Sequence, residues 1–184
     1  GDEIPTALKQ MGCQVTLLTD DDLASRDFSK VDAIIAGVRA YNTRPALRTF
    51  QNRLMDYVQN GGTYIVQYTT LQRPESENLG PYAFSVSRDR VTVEEVPIVF
   101  LNPKHPLLNS PNKITEEDFQ GWIQERGLYF ANTWDSKYDT VIACADPGES
   151  LKAGGLLYAK YGKGNYIYTG YAFFRQLPAG VPGA

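Results

Sequence analysis

Residue types that break amide and ester bonds are scarce in this 184-residue chain. Nucleophilic acyl transfer on an α/β sheet needs a Ser or Cys on a tight turn between a strand and a helix, with a His within reach. No G-x-S-x-G or G-x-C-x-G sequence occurs, and His105 is the single histidine. The strand end at which a nucleophile would lie reads Gln67-Tyr68-Thr69. We therefore predict no catalytic residue of this kind and interpret His105 as a structural loop residue.

The chain also lacks the donor sets of a metal or phosphate site. A hydrolytic metal site uses several His, Asp or Glu ligands, and one His without a nearby carboxylate pair does not supply them. We interpret the acidic residues 20–22 as a solvated helix cap rather than as ligands of a divalent cation. Gly61 and Gly62 follow a predicted helix and precede a predicted strand, which is the wrong order for a phosphate-binding loop. The sequence predicts no metal and no cofactor.

Hydrophobic periodicity defines the elements that would position any site. It predicts helices at residues 1–12 and 45–60, and a short helix or capped turn at 118–127 with Thr115 as its cap. Strands are predicted at residues 13–19, 31–38, 63–68, 90–101 and 140–145, and a hairpin at 156–171. Strands that alternate with helices indicate a parallel sheet. We predict an α/β fold, a flavodoxin-like open and mostly parallel sheet with helices on both faces and an antiparallel hairpin near the C-terminus.

Ligands of such sheets bind at the carboxyl ends of the strands. This rule selects three loops, at residues 39–42, 68–71 and 171–176. Tyrosine and asparagine side chains in loops of this kind stack on sugars and form hydrogen bonds with them. The alternative is that most of the rings pack in the core or at its rim. The candidate ligand-binding residues are Arg39, Tyr41, Asn42, Tyr68, Thr69, Phe174 and Arg175.

Composition limits the classes of partner. The 18 basic and 21 acidic side chains give a net charge of −3, so there is no electrostatic reason to expect nucleic acid. No apolar run approaches the ~20 residues that span a bilayer. Cys13 and Cys144 both lie in apolar stretches and are interpreted as buried thiols. We interpret Glu125 and Arg126 as an internal ion pair that fixes its own segment.

Several stretches together resemble a known family. They are VDAIIAGVRAYN at 31–42, VQNGGTYIVQY at 58–68, ITEEDFQGWIQERGLYF at 114–130 and FFRQLPAGVPGA at 173–184. They are similar to a class I glutamine amidotransferase-like domain found C-terminal to bacterial PIG-L (LmbE-like) deacetylase domains. The resemblance covers nearly the whole chain. It implies a single domain at 1–184, truncated at both ends, with the first strand and the last helix missing.

The resemblance also implies what the site has lost. Active amidotransferases carry a Cys at the turn that here reads Gln67-Tyr68-Thr69, and a His and a Glu at the positions that Phe174 and Gln176 occupy here. A phenyl ring neither accepts nor donates a proton, so the triad is absent. The implied partner is an N-terminal zinc-dependent N-acetyl-sugar deacetylase domain of the same chain, and the implied location is periplasmic or secreted.

Three hypotheses follow. The first is a non-catalytic accessory domain that binds carbohydrate or packs against a deacetylase domain. The second is a divergent hydrolase that uses His105 with Glu125 or Asp118, which requires these side chains to converge on one pocket. The third is an assembly domain that dimerises through the aromatic-rich hairpin.

Overall fold

The computed structural model describes residues 3–70 and 79–183 of the chain. The helices are α1 (Ile4–Gln10), α2 (Asp20–Ser25), α3 (Ala40–Thr43), α4 (Ala46–Thr49), α5 (Gln51–Gln59) and α6 (Phe173–Ala179). The longer strands are β1 (Ala33–Ala36), β2 (Thr63–Gln67), β3 (Phe84–Val86), β7 (Ala131–Trp134), β10 (Leu156–Tyr161) and β11 (Gly164–Thr169). Two-residue strands are β4 (Arg90–Val91), β5 (Val99–Phe100), β6 (Gly127–Leu128), β8 (Asp139–Thr140) and β9 (Ile142–Ala143). Short 3-10 helices lie at Pro106–Leu108 and Glu116–Phe119.

The main sheet has five strands in the order β1-β2-β11-β10-β8. β1, β2 and β11 are parallel to one another, whereas β10 is antiparallel to both β11 and β8. The α/β class and the mostly parallel sheet are therefore confirmed. The hairpin of β10 and β11 is confirmed as well, but its second strand lies at the centre of the sheet because β11 pairs with β2.

One face of the sheet is covered by α5 and its neighbouring helices. Its core is unusually rich in tyrosine, with Tyr64, Tyr166 and Tyr168 all completely buried. The opposite face, which carries Ile65 and Ile167, packs against a second core. That core is built from the two-stranded sheets β4-β6 and β5-β9, the two 3-10 helices and the start of α6, whereas the β3-β7 sheet packs into the tyrosine-rich core. Segments between residues 91 and 144 thus cover a face that we expected helices to cover, although α6, against which α1 packs, contributes to it.

The predicted strand at residues 13–19 is wrong. These residues form a loop in which Cys13 and Leu17 are exposed, so the interpretation of Cys13 as a buried thiol is also wrong. β-branched residues favour a pleated, half-buried surface, but a segment rich in them forms a strand only where a neighbouring strand is available for hydrogen bonding. Among the strands in the described part of the chain, none pairs with this segment. Cys144 is buried as expected.

Other elements form with altered bounds. The predicted helix 45–60 divides into α4 and α5 at Phe50, whose φ of −106° and ψ of 17° interrupt the helix. β1 exposes alternate residues, including Ile35 at 37 %, so it is not covered on both sides as predicted. The predicted strands 90–101 and 140–145 each divide between two sheets, because a bend redirects the chain from one partner strand to another.

Helix and turn starts follow local side-chain chemistry. Thr19 caps α2 and forms a capping box with Asp22, which confirms the acidic turn as a helix cap. Thr115 and Asp118 form the same reciprocal arrangement at the second 3-10 helix. Gly12 has a φ of +90° and follows α1 at its predicted end. None of the helices described is long and apolar enough to cross a lipid bilayer.

Candidate functional site

The ends of β1 and β2 are joined by a backbone hydrogen bond at the carboxyl edge of the sheet. The Arg39 amide donates to the Tyr68 carbonyl over 2.9 Å. Arg39 has a φ of 58°, a left-handed conformation that is uncommon for a residue with a side chain. Such strain persists only where surrounding contacts enforce it, and it concentrates at binding sites.

Asn42 fixes the loop that follows β2. Its Oδ1 accepts from the Thr69 hydroxyl (2.8 Å) and from the Thr70 amide (2.9 Å), and its Nδ2 donates to the Thr70 carbonyl (3.0 Å). Thr69 is itself buried. Asn42 and Thr69 were predicted to contact ligand, but these bonds give them a positioning role beneath the site. Leu71, the last residue of the predicted loop, lies outside the described residues.

Tyr41 lies in the core, away from the surface of the site. Its side chain is only 1 % exposed. The hydroxyl donates to Gln51 Oε1 (2.6 Å) and lies 2.9 Å from the Tyr64 hydroxyl. Burial raises the pKa of Tyr41 to about 12, so its phenol stays protonated and remains a donor at neutral pH. The structure therefore leaves Tyr41 no surface with which to contact a ligand.

Three rings form what we call the aromatic platform: Tyr68, Tyr129 and Phe174. Tyr68 and Tyr129 are stacked, with centroids 5.5 Å apart and planes 14° from parallel. Phe174 also lies against Tyr68, with ring centroids 5.2 Å apart and planes tilted by 56°. Tyr68 and Phe174 were predicted at this edge, but Tyr129 was not. The platform gathers rings from three separate segments of the chain.

Tyr129 reaches the platform because two glycines allow close approach of the chain. A Cβ atom at Gly127 would lie 2.4 Å from the Gly170 carbonyl oxygen. A Cβ atom at Gly170 would lie 2.6 Å from the Leu128 carbonyl oxygen. The Leu128 amide donates to that same Gly170 carbonyl. Tyr129 is itself in the left-handed region (φ 54°), and its carbonyl accepts from the Tyr168 hydroxyl over 2.6 Å. The paired glycines were the only sequence signal for this contact, and a contact between distant segments gives no periodic pattern.

A buried carboxylate lies beside the platform. Glu125 is only 5 % exposed, and its Oε1 accepts from Arg175 Nε over 2.9 Å. Its Oε2 lies 3.6 Å from Arg90 Nη2. The predicted ion pair between Glu125 and Arg126 is therefore wrong. The sequence neighbours point in different directions, since adjacent residues near a strand project to opposite sides.

Arg126 instead serves the second core. Its guanidinium donates to the carbonyls of Val96 and Phe119 and lies 5.4 Å from the Trp122 ring centroid. These bonds satisfy a buried cation with backbone dipoles and an aromatic face. Arg126 fixes the segment as expected, but it does so through carbonyls rather than through a carboxylate.

Gln176 positions the Glu125 loop from α6. It is completely buried, its Oε1 accepts from the Ile123 amide (2.9 Å) and its Nε2 donates to the Ile123 carbonyl (3.0 Å). Gln124, which follows Ile123 in the chain, has a φ of 69°. Within the described ranges, the non-glycine residues with positive φ are Arg39, Gln124 and Tyr129. All three border the platform or the Glu125 loop, so backbone strain is concentrated here.

The electrostatics of the platform are dominated by burial and by two arginines. Burial raises the pKa of the Tyr68 phenol, and the Arg39 and Arg175 guanidinium groups oppose that rise, while Glu125 adds to it. Arg175 also lies over Phe174, with its Cζ 5.0 Å from the ring centroid. The site is thus an aromatic cluster bordered by two arginines and one paired carboxylate, in which Tyr68 is only 9 % exposed and Tyr129 and Phe174 are half-buried.

The residues proposed for a divergent hydrolase have separate surroundings. His105 Nδ1 accepts from the Leu107 amide, and its Nε2 lies 3.5 Å from Asp139 Oδ2. Asp118 accepts from the Thr115 amide, whereas Glu125 is paired with arginines. In the part of the chain that is described, no contact joins the three.

The remaining reactive groups and the hairpin are also accounted for. Cys144 is completely buried, with Sγ 3.5 Å from the Tyr171 hydroxyl, and burial raises the pKa of its thiol. Residues 3–70 and 79–183 contain no group of three His, Cys, Asp or Glu side chains placed to hold a metal ion. Tyr166 and Tyr168 of the hairpin point into the core, whereas Tyr158 and Tyr161 are half-buried, so dimerisation through the hairpin stays a prediction.

Comparison with known proteins identifies only the fold. No family model and no curated protein matches the chain. A cytoplasmic protein from Salmonella typhimurium is similar in structure, with a TM-score of 0.51 at 14 % identity, over 89 % of this chain and 72 % of that one. A β-galactosidase from Rahnella sp. R3 also has a TM-score of 0.51 at 14 % identity. That match covers 94 % of this chain but only 25 % of the enzyme, so the chain spans about a quarter of its length.

Proposed function

We propose that this chain is a non-catalytic binding module that holds a carbohydrate on the aromatic platform. The observation that carries the proposal is the platform itself, three rings gathered at the carboxyl edge of the sheet where an enzyme of similar fold would carry reactive groups. Rings with a hydroxyl at one end bind sugars well, since the apolar face of the ring stacks while the polar tip forms hydrogen bonds. The flanking arginines supply further donors.

The proposed family is the class I glutamine amidotransferase-like domain of PIG-L (LmbE-like) deacetylases, with a flavodoxin-like sheet. In support, the resemblance aligns Tyr68 with the nucleophile turn and Phe174 with the histidine position, and both of these side chains belong to the platform. Gln176, at the glutamate position, forms two hydrogen bonds with Ile123 and so serves the framework. On this proposal a lost catalytic centre has become a binding surface.

The proposed partner is a deacetylase domain of the same protein, working outside the cytoplasm on N-acetyl sugars. A binding module beside such a catalytic domain would raise the local concentration of its substrate. The bond-breaking chemistry would then belong to the partner domain.

Isothermal titration with a panel of amino sugars and neutral glycans tests the proposal. We expect binding by the native chain and at least about tenfold weaker binding by Phe174→Ala, because Phe174 is a half-buried platform ring and each stacking ring contributes on the order of 1 kcal/mol or more. Tyr161→Ala is the control, since Tyr161 is also half-buried but lies on the hairpin, where its ring contacts Tyr82 rather than the platform. Binding that survives Phe174→Ala, or no binding across the panel, would contradict the proposal.

A further inference from the structure

The cations around the aromatic platform are not all used within the protein. Among the described residues, the Arg39 guanidinium has neither a hydrogen bond nor an ion pair, and its residue is exposed. Its backbone is fixed by the bond to Tyr68, and its charge acts on the Tyr68 phenol. A fixed cation beside a stacking surface, with no internal partner, is suited to meet an anion.

Arg175 is held so that one edge of its guanidinium stays open. Nε donates to Glu125 and the Cζ lies over Phe174, which together set the plane of the group. Nη1 and Nη2 have no partner among the residues described. The Nη1–Nη2 edge is the part of arginine whose two parallel donors match a carboxylate. Glu125 thus orients Arg175 without consuming its binding edge.

Among the described residues, the charged groups that meet around Glu125 and Tyr68 carry an excess of positive charge, whereas the chain is negative overall. Glu125 faces Arg90 and Arg175, so one carboxylate is paired with two guanidinium groups. Arg39 adds a third cation, whereas the whole chain carries a net charge of −3. A local excess of arginine draws anionic ligands and is not needed to hold a neutral one.

We propose that the ligand is an acidic sugar, a pyranose ring that carries a carboxylate. The ring stacks on the aromatic platform, and the carboxylate binds the open Nη1–Nη2 edge of Arg175 with Arg39 as the second cation. This inference rests on the proposed carbohydrate function and specifies its substrate class. An aromatic surface selects a ring, and two arginines select a charge on it.

Titration with a matched pair of sugars tests the inference. We expect methyl β-D-glucuronide to bind at least about tenfold more tightly than methyl β-D-glucoside in low salt, since a charge-assisted bidentate bond is roughly twice as strong as a neutral one. Added NaCl should reduce the affinity for the glucuronide more than the affinity for the glucoside. Arg175→Gln and Arg39→Gln should each remove most of the preference. Lys163→Gln, which removes one exposed charge at the opposite edge of the sheet, should leave it intact.

The outcomes separate this inference from the proposed function. Equal binding of the two sugars, lost together in Phe174→Ala, would overturn the acidic-sugar assignment and leave carbohydrate binding standing. Tighter binding of glucose 6-phosphate than of the glucuronide would assign the arginines to phosphate and also overturn it. Binding of neither sugar would overturn both. Circular dichroism and thermal unfolding of each variant show whether a loss of binding reflects a loss of folding.

Discussion

The two buried phenols beneath the site, Tyr41 and Tyr64, allow the core reasoning to be tested quantitatively. Tyr41 donates its only hydroxyl proton to Gln51 Oε1. In the 2.9 Å contact between the two hydroxyls, Tyr64 must therefore be the donor and Tyr41 the acceptor. The two positions are consequently not equivalent, although both lie in the same core.

The magnitudes follow from what each substitution leaves behind. Tyr41→Phe removes the acceptor of a fully buried hydroxyl and the donor to Gln51, so it should lower the free energy of unfolding by about 2 kcal/mol. Tyr64→Phe removes only a bond that Tyr41 accepts, and should cost about 1 kcal/mol. The double variant leaves no buried Tyr64 hydroxyl without an acceptor. Its cost should therefore be lower than that of Tyr41→Phe alone, which gives a coupling energy of more than about 1 kcal/mol.

Urea unfolding of the four proteins at 25 °C measures this cycle. The dependence of the free energy on urea concentration should stay constant, because the surface exposed on unfolding does not change. In thermal unfolding, each kcal/mol corresponds to about 2–4 °C for a chain of this size. Additive effects, or a Tyr64→Phe variant less stable than Tyr41→Phe, would refute the donor assignment. A large change in sugar affinity on Tyr41→Phe at unchanged stability would refute its placement in the core.

Three further expectations concern single residues. In the native protein, one thiol should react rapidly with a disulfide reagent, because Cys13 is exposed while Cys144 is completely buried. The Cys144 thiol should react only after denaturant is added. Rapid reaction of both thiols in the native protein would contradict the burial of Cys144. Gly154→Ala should lower the free energy of unfolding in urea by more than about 3 kcal/mol, because its Cβ would lie 1.8 Å from a backbone carbonyl of β7. A Cβ at Gly148 would lie in open space, so Gly148→Ala should cost only about 1 kcal/mol, for the left-handed φ. Similar losses of stability in the two variants would count against the close approach at Gly154. Burial raises the pKa of Asp146, but hydrogen bonds from residues 92 and 93 outweigh burial and hold that pKa below its ordinary 3.8. The ionised side chain therefore stabilises the fold above about pH 4, and this stabilisation is lost as the pH falls further. Asp146→Asn should reduce the loss of stability at acid pH, and an unchanged dependence of stability on pH would contradict the effect.

Elements with a local cause were predictable from sequence. The hairpin of β10 and β11 is specified by Gly162 and Gly164 at its turn, and α2 by the Thr19–Asp22 cap. β1 and β2 follow from continuous apolar runs. In each case the interactions that decide the structure join residues within a few positions of one another, so a short window contains the whole cause.

The errors have long-range causes. Residues 13–19 have strand composition but no neighbouring strand, and whether a neighbour exists is decided elsewhere in the chain. Of the platform rings, Tyr68 and Phe174 were found because strand ends converge, whereas Tyr129 is brought there by the Gly127–Gly170 approach. The partners of Glu125 lie 35 residues before it and 50 after it, at Arg90 and Arg175. No sequence window of ordinary length contains these pairs.

The central position of β11 has a consequence for the order in which the chain folds. Tyr64 of β2 is paired with Tyr166, about a hundred residues later, so the middle of the sheet cannot close until β11 has left the ribosome. Until then β2 presents an unpaired edge, a surface on which growing chains aggregate. The β10–β11 hairpin, whose contacts are local, forms quickly and then has to dock as one piece. A released chain that ends just before residue 164 should therefore be prone to association, whereas a released chain that includes β11 and α6 should not.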